Sequence, residues 1–527
     1  MEDILYLIKR YRYLLAVCSG VLLFCSFPSV NFYPFAWVSL VPLLLALEGA
    51  EDWKAAFRIG YVSGLVFFAG LLIAIAFLYP YANIFTTALG YLLLVGYTAF
   101  YIAVFALFVH RMSWQSGILY PISVAAIWVS LEWVRSWLLT GFPWGFVGYS
   151  QWNYLPGIQI ASFTGVYGVS FVIVFFNAGI VTFIRNRHAW RKEFVAFGVP
   201  CILAIATLVY GYVVIGKGQE ASGSTVKVAL VPGNISQLEK WKQDSFPKIF
   251  SKYLNLTEQV ASEGPDIIVW PETAVSGQIL SGELEGYHKY FERMHRNIGK
   301  IPMLIGATDL DAMGDLYNRV ISISSEGKIV GKYAKMKLVP FGEYVPLGDF
   351  LPNFIQFHPY THGKHINVLP ISVVKDGTLE VGTSICFESA FPDHFRQFVR
   401  KGADMMGILT NDAWFSGTAF PELHLAMAPF RAVENRIAVF RCANGGYSCA
   451  VDRFGRITTR FVTADTTEEY LVADVELSDK KKTIYTRFGN WLPLFCFVIC
   501  ISWIAYRILN HYYIVKLTDQ KIRGDKC

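Results

Sequence analysis

Trp270-Pro271-Glu272-Thr273, the stretch from Lys335 to Glu343 (KMKLVPFGE), and Thr383-Ser384-Ile385-Cys386-Phe387-Glu388 each follow a short apolar run. They supply a carboxylate, a lysine with a second carboxylate eight residues on, and a thiol. A thiol is mostly protonated at neutral pH, and only the thiolate attacks a carbonyl well. Glu272 is suited to accept the Cys386 proton as general base, provided burial or a neighbouring acid raises its basicity. Glu343 is the candidate second acid and would also orient Lys335. The Lys335 ammonium can stabilise the oxyanion formed when sulfur meets a carbonyl carbon, and one such donor is worth about 3–4 kcal/mol. Backbone N–H groups near Phe387 would add to that oxyanion site. Each motif alone has a bland explanation: a turn acid, a basic loop, a buried inert cysteine. Together, Glu272, Lys335 and Cys386 predict nucleophilic acyl transfer.

The elements that must position these residues are short apolar strands alternating with helices. VKVALV (226–231), DIIVW (266–270), MLIGAT (303–308), VISIS (320–324), LEVGTSIC (379–386) and MMGILT (405–410) read as strands. Pro271 is expected to stop the second of them. Residues 244–262 and the stretch after Cys386 read as helices. PELHLAMAPFRAVENRIA (421–438), with its proline start and acidic first turn, reads as one long helix. VFRCANGGYSCAVD and RITTRFV read as hairpin strands. This order predicts a layered mixed sheet over 225–480, where sites form at strand ends. No GxxxxGK[ST] motif occurs, so nothing indicates nucleotide use.

The rest of the chain is different in kind. Of its 527 residues, 54% are hydrophobic and 16% charged, where soluble chains carry about 25% charge. Apolar runs near the roughly 20 residues that span a bilayer occur at about 13–30, 33–49, 57–79, 85–109, 116–140, 158–184 and 194–216, and again at 489–509. The first two are short and read equally as one broken hairpin. A signal peptide over 1–28 is disfavoured because further apolar runs follow at once. The expected architecture is therefore a polytopic α-helical membrane domain of about eight spans (1–216 and 489–509) with an α/β insert, and a tail at 510–527.

Lysine and arginine fall on alternate loops. They occur at Lys9, Arg10 and Arg12, at Lys54 and Arg58, at Arg111, at Arg185 to Lys192, and in the tail. The loops SVNFY, YPYANI and TGFPWGFVGYSQWNY carry none. Positive residues favour the cytoplasmic side, so both termini are expected inside and the insert outside. The net charge of +6 is then a topology signal rather than a nucleic-acid footprint. Nine cysteines, with no CxxC pair, argue against a disulfide framework, although Cys442 and Cys449 flank a turn at Asn444-Gly445-Gly446 and an exterior bridge there is an open alternative.

The chain order Glu272, Lys335, Cys386 within these motifs resembles the nitrilase superfamily. So do Asn411-Asp412-Ala413-Trp414-Phe415 and the helix holding Arg431, Glu434 and Arg436. That family's core is an αββα sandwich. An insert of this kind after seven apolar runs resembles the bacterial apolipoprotein N-acyltransferases. Phe27-Pro28, Gly141-Phe142-Pro143-Trp144 and Gly233-Asn234-Ile235 with Gln237 and Trp241 extend the match. The resemblance implies an enzyme of the inner membrane with its catalytic insert on the periplasmic side. It would take an acyl group from a phospholipid onto Cys386 and pass it to the α-amine of a diacylated apolipoprotein. Phe387 departs from the family's more frequent tyrosine.

That reaction needs no cofactor. Its acceptor is chemically reasonable, since an α-amine of pKa near 7.7–8.0 is about a tenth to a sixth neutral at pH 7. Trp241 and Phe387 are expected to line the substrate site. Glu388 is expected either to orient Lys335 or to bind the amine. The stretch 350–363, with Leu351, Phe354, Ile355 and Phe357, is expected to form an apolar flap. His358, His362 and His365 lack the acid or cysteine that would complete a zinc site. Glu132 and Arg135, within an apolar run, are candidates for a lipid phosphate contact or a simple pair. The rival function is a membrane-tethered amidase that hydrolyses the same thioester.

Overall fold

The computed structural model describes residues 2–112, 117–185, 190–218, 223–240, 242, 245–275, 294–346, 359–373, 377–462 and 470–524. Trp241 and the flap residues Leu351 to His358 lie outside this set.

The insert forms two six-stranded sheets. The first contains β1 (Thr225–Leu230), β2 (Ile267–Val275), β3 (Met303–Leu310), β4 (Leu316–Ile323) and β5 (Ile329–Ala334). The second contains β6 (Leu369–Val373), β7 (Gly377–Ile385), β8 (Met405–Asn411), β9 (Val439–Asn444), β10 (Tyr447–Val451) and β11 (Ile457–Val462). The last strand, β12 (Leu471–Glu476), returns to pair with β1. β1–β2–β3 and β7–β8–β9 are parallel, and the outer pairs are antiparallel. Each sheet is thus buried on both faces, which explains the continuous apolar strands. In β2, Ile267 and Val269 join the core between the sheets, while Ile268 and Trp270 pack under the helix Phe246–Ala261. The αββα layering expected from the sequence is present.

Three local expectations are corrected. β2 does not end at Pro271 but runs to Val275, with its register to β3 shifted between Trp270 and Val275. The bulge absorbs the proline and puts Thr273 at φ +50°. The helix expected at 421–438 is two pieces, Phe420–Leu425 and Met427–Asn435, closed by Arg436 in the left-handed region. Cys442 and Cys449 are free: Cys449 is in register with Arg441, so the two thiols lie one position out of step.

Among the described residues, four helices are long and apolar enough to cross a bilayer: Trp53–Leu71, Ile84–Met112, Val166–Arg185 and Phe194–Gly218. The run at 33–49 is a 3-10 turn, Tyr33–Trp37, followed by the short helix Val41–Glu48. Leu119–Arg135 is 17 residues long and carries Glu132 and Arg135 in its last turn. Those interruptions take two of the eight apolar runs, 33–49 and 116–140, out of the long helices. Phe85, Leu89, Leu92 and Leu93 make an exposed apolar stripe along Ile84–Met112.

The helices and the sheets are joined through buried polar contacts. Glu434 Oε1 accepts the Val166 N–H (2.9 Å) at the start of Val166–Arg185, and Arg431 donates to Tyr149 Oη (3.0 Å). Arg436 donates to Gln159 Oε1 (2.6 Å) and Asn31 to Glu422 Oε1 (3.0 Å).

Gly60 and Gly64, one turn apart, let Trp53–Leu71 lie directly on Ile84–Met112. A Cβ at Gly64 would stand 2.7 Å from the Ala99 Cα, and one at Gly60 would stand 2.5 Å from the Ala106 Cβ. Such small-residue seams hold membrane helices together through close packing. Gly64→Leu should therefore lower the melting temperature of the detergent-solubilised protein, whereas Gly90→Leu, with open space around it, should not. Equal melting of the two variants would contradict the seam.

Candidate functional site

The bulge in β2 brings Glu272 into the space between the sheets. Gly306 makes it possible, because a Cβ there would stand 2.2 Å from the Pro271 carbonyl oxygen. Lys335 follows β5 and is fixed by its main chain: its N–H donates to Asn318 O, and its carbonyl accepts from Gly363 N–H, both at 2.8 Å. The Lys335 Nζ then donates to Glu272 Oε1 (3.0 Å) and Glu343 Oε1 (2.8 Å). Asn318 Nδ2 bridges the same two oxygens at 2.8 and 3.0 Å. The remaining oxygens accept main-chain N–H groups, Glu272 Oε2 from Asn411 and Glu343 Oε2 from Val339. All four side chains are buried.

Cys386 directly follows β7 and begins the 3-10 turn Cys386–Ala390. Its φ of +50° is in the left-handed region, which for a non-glycine residue costs of order 1–3 kcal/mol and persists only where the surroundings impose it. Burial raises the Cys386 thiol well above its usual range, and the Glu272 carboxylate raises it further, with Lys335 opposing. The resting sulfur is therefore protonated, and attack requires a base at hand. Burial alone would lower Lys335, but the Glu272 and Glu343 carboxylates hold it well above its ordinary value.

Glu388 is fully enclosed. Its oxygens accept from the N–H groups of Met336 (2.6 Å), Lys337 (3.1 Å) and Ile385 (2.8 Å) and from Tyr333 Oη (2.8 Å). Burial works against its charge, but His394, 3.4 Å away, and these N–H groups pull it below the usual carboxylate value. Of its two expected roles, this geometry supports the first. Glu388 ties the segment carrying Lys335 to the turn carrying Cys386. Phe387 is mostly buried and packs edge-on against Phe391 at 5.0 Å.

Asn318 was not singled out in the sequence. Its signal was a polar residue within an apolar strand, LYNRVISI. Lys240 was also missed. It is buried and donates to the Glu272 carbonyl oxygen (3.1 Å), and burial lowers it to about 7. Arg135 donates to the Trp144 carbonyl oxygen (2.6 Å), and Glu132 Oε1 accepts from Trp128 and from the Val147 N–H. Both brace the 141–147 loop. Among the described residues no group of His, Cys, Asp and Glu has metal-binding geometry.

Chemically, the arrangement sets a protonated thiol near a buried carboxylate and a cationic ammonium. With its folded value raised, Lys335 contributes stability fully below its unfolded pKa of about 10.4 and loses it only above that. Lys335→Met leaves two neighbouring buried carboxylates, so at least one must titrate higher folded than unfolded. Its stability should then fall as pH rises from about 5 to 8, while wild type shows no loss from this group. Melting curves across that range check this, and parallel curves for the two proteins would contradict it.

Residues 19–179 match the family described as the apolipoprotein N-acyltransferase N-terminal domain, and 227–485 match the carbon-nitrogen hydrolase family. The apolipoprotein N-acyltransferase of Geobacter metallireducens is 36% identical over 93% of this chain and 94% of its own. That of Chlorobaculum tepidum is 30% identical over 92% and 94%. Among solved structures, Saccharomyces cerevisiae Nit3, of the nitrilase superfamily, is 22% identical with a TM-score of 0.36, covering 48% of this chain and 93% of that one.

Proposed function

The chain belongs to the apolipoprotein N-acyltransferase family and catalyses lipoprotein N-acylation, and we propose that it does so by ping-pong transfer through a thioester on Cys386. Glu272 takes the Sγ proton as sulfur attacks the ester carbonyl of a phospholipid. The oxyanion forms beside the Lys335 ammonium. On its collapse the C–O bond breaks, Glu272 returns the proton to the departing alkoxide, and a lysophospholipid leaves. The α-amine of a diacylglyceryl-cysteine then attacks the thioester. Glu272 takes one amine proton and delivers it to the leaving sulfur, which restores the thiol. Ester to amide is downhill, so the cycle needs no coupled energy source. Glu343 keeps Lys335 aimed, and Phe387 lines the acyl side.

The observation that carries this reading is the closed ring of Glu272, Lys335, Glu343 and Asn318 next to a strained, protonated cysteine. The membrane setting supports lipid as donor. Residues 1–216 and 489–509 read as the membrane domain, with the two shorter apolar helical stretches, Tyr33–Glu48 and Trp491–Arg507, as further spans. Residues 225–480 read as the catalytic domain. The loop charges support a reading in which it lies on the outer face of the inner membrane with the 510–527 tail in the cytoplasm.

The test is a two-step incubation: protein with phospholipid labelled in its acyl chain, then a diacylglyceryl-cysteine peptide. A hydroxylamine-labile label on Cys386 that moves to the peptide amine is expected, and Cys386→Ser should carry none. Release of labelled free fatty acid with no labelled peptide would instead establish the hydrolytic reading.

A further inference from the structure

A second buried polar cluster touches the nucleophile through its main chain. His424 Nε2 lies 3.2 Å from the Cys386 carbonyl oxygen and 2.8 Å from Ser389 Oγ, which itself donates to that carbonyl at 2.8 Å. The other ring nitrogen, Nδ1, faces Asp412 Oδ1 at 3.0 Å and an Arg441 guanidinium nitrogen at 3.2 Å. Arg441 also binds Asp412 Oδ2. Ser389, His424, Asp412 and Arg441 are all at least 98% buried. Burial works against the Asp412 charge, but Arg441 and His424 overcome it and hold the carboxyl well below the usual range. The tautomer whose Nδ1 accepts from Arg441 carries its proton on Nε2 and donates toward Cys386 O.

The consequence follows from the peptide bond. The Cys386 carbonyl and the Phe387 N–H are opposite edges of one rigid plane. Fixing the carbonyl fixes the direction of the N–H. Phe387 lies in the first turn of a helix, where N–H groups have no intrahelical acceptor. Among the described residues nothing accepts from it. That N–H is therefore free to meet the oxygen of the carbonyl that Cys386 attacks.

We propose that His424 is a positioning residue for the oxyanion site, holding the Cys386 carbonyl so that the Phe387 N–H points at the developing oxyanion. Asp412 and Arg441 seat His424 from one side. Trp144, from the loop after the helix Leu119–Arg135, seats it from another, with ring centroids 5.4 Å apart and its face stacked on Phe420 at 4.6 Å. The inference rests on the acyl-transfer reading above.

The test uses full-length protein in detergent and two reactions at Cys386. One is acylation by phospholipid with a labelled acyl chain, which passes through an oxyanion. The other is alkylation by iodoacetamide, which does not. His424→Leu should slow acylation by about 10²–10³-fold and alkylation by less than about threefold, since loss of one oxyanion donor costs that much in rate. His424→Gln, whose amide can still donate, should recover acylation to within about tenfold of wild type. Wild-type acylation in the leucine variant would overturn the proposal. So would a parallel fall of both reactions, or a glutamine variant no better than leucine. If wild type itself takes no label while iodoacetamide still reacts, the acyl-transfer reading fails instead.

Discussion

Everything in the site depends on burying one ammonium between two carboxylates. Removing a single charge from water costs several kcal/mol even after relaxation, and a buried pair recovers this only with good geometry and satisfied hydrogen bonds. Lys335 meets that condition. Its two carboxylates hold its charge, Asn318 bridges them, and the N–H groups of Asn411 and Val339 complete them. The donors come from β4, from the end of β8 and from the loop after Lys335, while Glu272 comes from the β2 bulge. No two neighbouring segments could build this alone. Both sheets must be in register first, and the site is in that sense a product of the fold's last stage of assembly.

The same arrangement sets the reactivity of sulfur. A cysteine beside a lone lysine would be a thiolate, open to any electrophile. Here the nearest carboxylate offsets the lysine, and burial keeps the thiol protonated. Deprotonation is thereby coupled to attack. The nucleophile's backbone is strained, and its surroundings hold it there. Glu388 clamps the turn from one side through Ile385, Met336 and Lys337, and Ser389 binds the carbonyl from the other. Two adjacent residues of one turn, Glu388 and Ser389, thus bind the main chain on either side of Cys386.

Glu272, Lys335 and Cys386 were legible because each closes a short apolar run, and strand ends are where open sheets expose chemistry. The layered α/β order was legible for the same reason: strands buried on both faces leave continuous apolar runs. What was not legible depends on contacts between distant segments. Pro271 reads as a strand breaker, yet the strand continues because a bulge absorbs it opposite Gly306. Ala426 gives no warning of the break in the 421–438 helix, and that break presents His424 to Cys386. Asn318 and Arg441 look like ordinary strand residues until the carboxylates they serve arrive from elsewhere in the chain. Two of the apolar runs do not become long helices among the described residues, because hydropathy does not see the 3-10 turn at Tyr33–Trp37 or how early Leu119–Arg135 stops.

The stop at Arg135 has a physical reason that links the two halves of the molecule. Its guanidinium binds the Trp144 carbonyl, and Glu132 binds the Val147 N–H, so a helix end rich in charge becomes the anchor of an aromatic loop. Trp144 from that loop lies on Phe420 and His424. A charged pair in an apolar helix is expensive unless its charges are satisfied. Here the loop that reaches His424 takes the Arg135 guanidinium and one Glu132 oxygen. The position of the loop, the seating of His424 and the orientation of the Cys386 peptide therefore form one continuous packing arrangement. The sheet layer does not merely rest on the helices, since the histidine beside the Cys386 carbonyl packs against a loop that Leu119–Arg135 holds in place.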